Sequence, residues 1–153
     1  LKENDMQRIA EVMTRDVRSI SPHETVRRAA QMMDELNVGA LPVCDGRRLI
    51  GMVTDRDITV RAVAAGQAPD VAHVADVMSV SVRSCFDDQT VDEVMAQMAD
   101  SQIRRVPVID HDTKELVGIV SLGDIATKHS AQVDRTLEEI SSPAEPDRLP
   151  LNS

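Results

Sequence analysis

Apolar positions along the chain fall into recurring runs, and the runs occur twice in the same order. Val26, Ala29, Ala30 and Met33 are spaced i, i+3, i+4, i+7, and Val91, Val94, Met95 and Met98 repeat that spacing. Each set predicts the buried stripe of one helix. Thr90 with Glu93 is the residue pair of a capping box at the start of the second of them. The branched stretches "VRSI" (Val17 to Ile20) and "VRSC" (Val82 to Cys85) precede the helices and predict short strands. After each helix comes "LPVC" (Leu41 to Cys44) or "VPVI" (Val106 to Ile109), whose proline suits the first position of a strand or an edge. A polar turn follows, Asp45 to Arg48 or Asp110 to Glu115. The runs "LIGMVT" and "LVGIVS" come next, too apolar to face water on both sides. A further helix is expected from the hydroxyl residue, Thr54 or Ser121, to about Ala65 or Ser130. The unit reads β-α-β-β-α.

The two sets are copies. Val12 returns as Val77 and Thr25 as Thr90, an offset of 65 (77 − 12, 90 − 25). Gly51 matches Gly118, Thr54 matches Ser121 and Asp57 matches Asp124, an offset of 67 (118 − 51), so two residues enter at the turn around His111 to Lys114. A register held across a whole unit, with its one gap in a polar turn, marks an internal repeat. The expected organisation is a first repeat over 10–66, a linker over 67–76, a second repeat over 77–131, and a C-terminal extension over 132–153. That extension ends in a proline-rich, apolar-poor stretch expected to be disordered. A half of about 60 residues is marginal alone, because it buries too small a share of its surface. The fold class expected is therefore α/β, two tandem β-α-β-β-α repeats packed about a pseudo-twofold axis, with clefts between the halves.

Composition narrows the function. The chain of 153 residues has one Phe, no Tyr and no Trp, so the core must be aliphatic and methionine-built. A net charge of −9 argues against nucleic acid, whose binding rests on Lys and Arg neutralising phosphates. No apolar run approaches the roughly 18 residues of a membrane span. Two cysteines make no disulfide framework. A cytoplasmic protein with no membrane or nucleic-acid partner is expected.

The candidate chemistry lies in "GMVTDRDI" and "GIVSLGDI". A hydroxyl and a carboxylate three residues apart at a helix start form a capping motif. The same pair can serve a ligand, the hydroxyl donating to phosphate and the carboxylate accepting from two ribose hydroxyls. Gly51 and Gly118, just before, would let a ligand approach the backbone. Both roles are compatible, because a carboxylate has two oxygens.

These segments, "GALPVCDGRRLIGMVTDRDI" and "IRRVPVIDHDTKELVGIVSLGDI", resemble the two halves of a tandem CBS-domain module, named for cystathionine β-synthase. The resemblance covers about Ala10 to Ser130 and implies a regulatory module that is not an enzyme. It implies an adenosine-containing ligand in the clefts between the repeats (AMP, ADP or ATP, sometimes S-adenosylmethionine or a dinucleotide) and no catalytic cofactor. It also implies a homodimer, and an unidentified protein partner that receives the signal. Carried over residue by residue, the hydroxyls of Thr54 and Ser121 face phosphate, and Asp57 and Asp124 hold ribose. Arg105, with Arg104 beside it, matches an arginine that reaches phosphate in the family. The first copy has Gly39 and Ala40 there, so the copies differ. Arg56 could also reach phosphate, but it stands between Asp55 and Asp57. The base is expected near Ser19 and Ile20, or Ser84 and Cys85. The copy carrying Ser121, Asp124 and Arg105 is the favoured site. Two alternatives stand beside it: an interaction scaffold whose signatures serve only as caps, and a thiol- or metal-responsive protein using Cys44 and Cys85. No metal-ligand spacing links those cysteines with His23, His73, His111 or His129.

Overall fold

A computed structural model describes residues 7–101 and 105–128. Arg104, His129 and the extension 132–153 lie outside the described residues, as does any continuation of the last helix towards Ser130. The described chain forms two compact units.

The unit built on the first repeat runs from Arg18 to Val82. Helix α1, Val26–Leu36, starts where the Thr25 hydroxyl accepts from the Arg28 amide and stops at Asn37, which adopts the left-handed conformation with φ 57°. It buries Val26, Ala29, Met32 and Met33. The expected stripe is thus right at three positions, while Ala30 is exposed and Met32 takes its place in the core. Strand β1, Ala40–Asp45, pairs antiparallel with β2, Arg48–Thr54. Pro42 sits inside β1, not at its start. It lies opposite Met52, whose backbone bonds turn the other way, to Ser79. The missing proline N–H therefore costs the β1–β2 ladder nothing. Of the expected strand over Val17 to Ile20, only Ile20 pairs, in parallel with Val43. Helix α2, Asp55–Ile58, continues as a π turn over Thr59–Val63 that ends short of Ala65. Within the expected linker lies the start of α3, Val74–Val77, which buries Val74 and Val77 in this unit's core.

The other unit combines the second repeat, from Arg83 onwards, with the leading segment up to Val17. Strand β3, Cys85–Phe86, runs parallel to β4, Arg105–Ile109, which pairs antiparallel with β5, Leu116–Ser121. Helix α4, Val91–Ser101, buries the expected Val91, Val94, Met95 and Met98. Helix α5, Leu122–Lys128, follows β5. The leading segment opens with a 3-10 turn over Ile9–Glu11 and places Ile9, Val12 and Met13 in this core. Thr14 then bridges Ile119 on the free edge of β5 through two backbone bonds of 2.8 and 2.9 Å. The compact units therefore differ from the sequence copies, because each core includes the apolar turn that precedes the other copy. The two extra residues lie in the β4–β5 turn, where Asp110 accepts from the Asp112 and Thr113 amides.

The duplication reaches fine detail. Arg61 donates to the Val77 and Met78 carbonyls at the end of α3. Lys128, its equivalent, donates to the Val12 carbonyl at the end of the 3-10 turn. Both place a cation on carbonyls that a helix end leaves unpaired.

Candidate functional site

Both signatures form closed capping boxes. The Ser121 hydroxyl accepts from the Asp124 amide at 3.1 Å, while Asp124 Oδ2 accepts from the Ser121 amide at 3.1 Å. The Thr54 hydroxyl and Asp57 carboxylate make the same exchange at 3.0 Å each way. All four residues are half-buried. A carboxylate offers about four acceptor positions, so the cap leaves each aspartate able to take a vicinal diol.

Around this shared arrangement the copies diverge. Arg105 opens β4 directly opposite Ser121, so the guanidinium arises one cross-strand step from the hydroxyl. Among the described residues no carboxylate or carbonyl pairs with it. Thr14, from the leading segment, donates its hydroxyl to Asp124 at 3.4 Å. Its signal in the sequence is the parallel "VMT" and "VMS" stretches, which put a hydroxyl at that place in both copies. In the other unit Ala40 stands opposite Thr54. Asp55 turns its carboxylate back over the start of β1, so that a Cβ on Gly39 would lie 3.1 Å from its Oδ2. Its Oδ1 accepts from the Arg56 amide at 2.8 Å, and the Arg56 side chain is exposed. The matching residue in the second copy, Leu122, is buried.

The glycines of the signature serve a different purpose from the expected one. A Cβ on Gly118 would lie 2.8 Å from the Thr14 carbonyl oxygen, and one on Gly51 2.7 Å from that of Ser79. The space over each glycine is filled by the edge segment of its own unit, leaving no room there for a ligand.

Of the residues expected near a base, Ile20 and Cys85 are buried in their own cores, and Ser19 and Ser84 are half-buried. What these stretches offer a neighbour is therefore backbone and serine hydroxyl. Both cysteines are free and buried. Burial raises the Cys44 thiol, against a smaller lowering by its hydrogen bond with Ser19. Burial, reinforced by Asp87, pushes Cys85 up to about 12. Thiols held protonated in this way are poor nucleophiles and poor metal ligands. Among the described residues no three His, Cys, Asp or Glu side chains group to hold a metal.

The CBS-domain sequence model matches residues 9–63 and again 74–130. The chain belongs to the CBS-domain family. This tandem CBS-domain chain is 40% identical over 121 residues to the CBS domain-containing protein YhcV of Bacillus subtilis, covering 79% of this chain and 84% of the relative. It is 41% identical over 117 residues to Hypoxic response protein 1 of Mycobacterium tuberculosis, covering 76% of this chain and 80% of the relative. The crystal structure of Hypoxic Response Protein I with two coordinated zinc ions superposes with a TM-score of 0.72 at 38% identity, covering 81% of this chain and all of that one. Inosine-5′-monophosphate dehydrogenase of Methanocaldococcus jannaschii is 33% identical over 116 residues, 75% of this chain but 22% of the enzyme, so the likeness is to the CBS portion alone. A CBS-domain pair is a regulatory, ligand-binding module. Among the described residues no helix of this one is long and apolar enough to cross a membrane.

Proposed function

We propose that this CBS-domain pair senses an adenosine-containing ligand of the AMP, ADP or ATP type and signals its bound state to a partner protein. It acts by binding and not by catalysis, and pairs into a homodimer. The observation that carries this reading is the corner formed by Ser121, Asp124 and Arg105. A hydroxyl, a carboxylate with acceptor positions to spare, and a guanidinium opposite the hydroxyl suit phosphate and ribose together. Ligand stabilises whichever conformation it binds better, and that difference in affinity is the signal.

Calorimetric titration of the intact chain with AMP, ATP and S-adenosylmethionine tests the reading. Micromolar to low-millimolar binding is expected, weakened about tenfold or more by Asp124→Ala, since charge-assisted hydrogen bonds are worth roughly 1.5–3 kcal/mol. Absence of binding by all three at millimolar concentration overturns it. The cap-only scaffold differs in a second respect: Ser121→Ala would lower the melting temperature there too, but nucleotide would never raise it. The zinc ions in the Hypoxic Response Protein I structure favour a second reading, a metal-responsive protein. Native mass spectrometry with zinc and with chelator separates the two.

A further inference from the structure

The two signatures share a cap and differ in the charge beside it. In the second copy Arg105 stands opposite Ser121, and position 122 is a leucine buried in the core. In the first copy Ala40 stands opposite Thr54, and the exposed Asp55 folds its carboxylate onto Gly39, the neighbour of Ala40. One corner thus has an arginine opposite its hydroxyl residue, and the other has an alanine there with a carboxylate lying over the residue before it. Arg56 supplies a cation nearby, but its amide holds Asp55 in this pose, and its charge is flanked by Asp55 and Asp57.

From this we propose that the copies select ligands by charge. The corner of Ser121 and Asp124 takes a phosphorylated adenosine. The corner of Thr54 and Asp57 takes an adenosine whose 5′ end bears no phosphate, either neutral or cationic. The inference rests on the nucleotide-binding reading given above. The aspartate that would hold the ribose is common to both corners, so both keep the nucleoside. Asp55 sets the second class, because a carboxylate repels a phosphate dianion and attracts a cation such as a sulfonium. Asp55 and Arg105 are therefore specificity residues, and neither is needed for ribose.

Calorimetry of the full chain with AMP, adenosine and S-adenosylmethionine reads this out. The expected result is AMP on one site per chain, weakened about tenfold or more in Asp124→Ala and kept in Asp57→Ala. Adenosine or S-adenosylmethionine then occupies a site that Asp57→Ala removes. The double variant Ala40→Arg/Asp55→Leu gives the first copy the residues of the second and should bind AMP at two sites per chain. Its new leucine would need burial that the first unit does not provide, so Asp55→Asn is the gentler companion. It keeps an oxygen for the Arg56 amide and should tighten AMP at this corner about three- to tenfold, the size of one screened charge at close range. Equal AMP affinity at both corners of the unmodified chain, or no gain in Asp55→Asn, overturns the proposal and leaves the nucleotide-binding reading intact. If none of the three ligands binds the unmodified chain, the proposal falls, and if ATP fails as well the nucleotide-binding reading falls with it.

Discussion

A methyl group added at Gly118 would lie 2.7 Å from Met13 Sδ and 2.8 Å from the Thr14 carbonyl oxygen. The sulfur is the end of a flexible side chain and can move. The carbonyl is backbone, fixed by its bond with the Ile119 amide. Gly118→Ala should therefore push the leading segment off β5 and cost about 1–3 kcal/mol, the usual range for overpacking. Gly123 gives the contrast five residues on. It lies exposed in α5, and a Cβ there would meet only Ser121 Oγ, at an ordinary 3.6 Å. Gly123→Ala should stabilise by about 0.5–1 kcal/mol, because alanine loses less backbone freedom in a helix. Thermal denaturation of the two variants should move in opposite directions. A fall in both would mean that α5 cannot accept the methyl. The sequence alone could not assign Gly118 its role, since a glycine before a ligand signature suits a ligand and an edge segment equally well. The hydroxyl–carboxylate pair was legible for the opposite reason: its bonds span three residues and need no tertiary information.

Elements were legible as far as their contacts are local. The α4 stripe is as its spacing predicts, while the α1 stripe admits Met32 in place of Ala30, because periodicity fixes the centre of a buried face and packing fixes its edges. The stretch Val17 to Ile20 reads as a strand by its branched residues, yet it has a partner only at Ile20, and pairing is not written in propensity. Its counterpart β3 is two residues long and begins with the buried Cys85. That burial has a consequence in alkali. In the folded chain the Cys85 thiol stays protonated until about pH 12, against an ordinary value of 9.0. Below pH 9 both states keep the proton and the thiol contributes no pH dependence. Between 9 and 12 the unfolded chain releases the proton and the folded chain does not, so stability falls as pH rises. Cys44 shifts in the same direction. The chain has no tyrosine, and its lysines, Lys2, Lys114 and Lys128, are unchanged by substitution at Cys85. Urea denaturation at several pH values from 8 to 11 should show a steeper loss for the unmodified protein than for Cys85→Val. Parallel curves would show that the thiol is open to solvent.

At the scale of the whole molecule, the exchange of leading segments is what the sequence conceals most completely. The turns "IAEVM" and "VADVM" carry the same apolar pattern, so each suits either core, and no local signal says which one it joins. The structure gives Ile9, Val12 and Met13 to the core of the second repeat, at 0%, 0% and 5% exposure. Burying side chains of this kind contributes about 1.5–3 kcal/mol each. Three of them approach the whole stability of an ordinary domain, roughly 5–15 kcal/mol. A fragment spanning 77–131 contains the complete second copy as the sequence defines it and lacks all three. It also leaves the edge of β5 without the Thr14 bridge and Lys128 without the Val12 carbonyl. The fragment should be unfolded or molten by circular dichroism and give no cooperative urea transition. The same fragment carrying residues 7–17 on a flexible Gly/Ser linker should regain one, because the added segment restores the three core residues and both backbone contacts. Cooperative unfolding of the bare fragment at the same midpoint as the linked form would show that the second copy folds on its own and that the leading segment merely decorates it. A linked form that folds while the bare one does not would establish the segment as part of the unit, and with it the route by which Thr14 comes to stand beside Asp124.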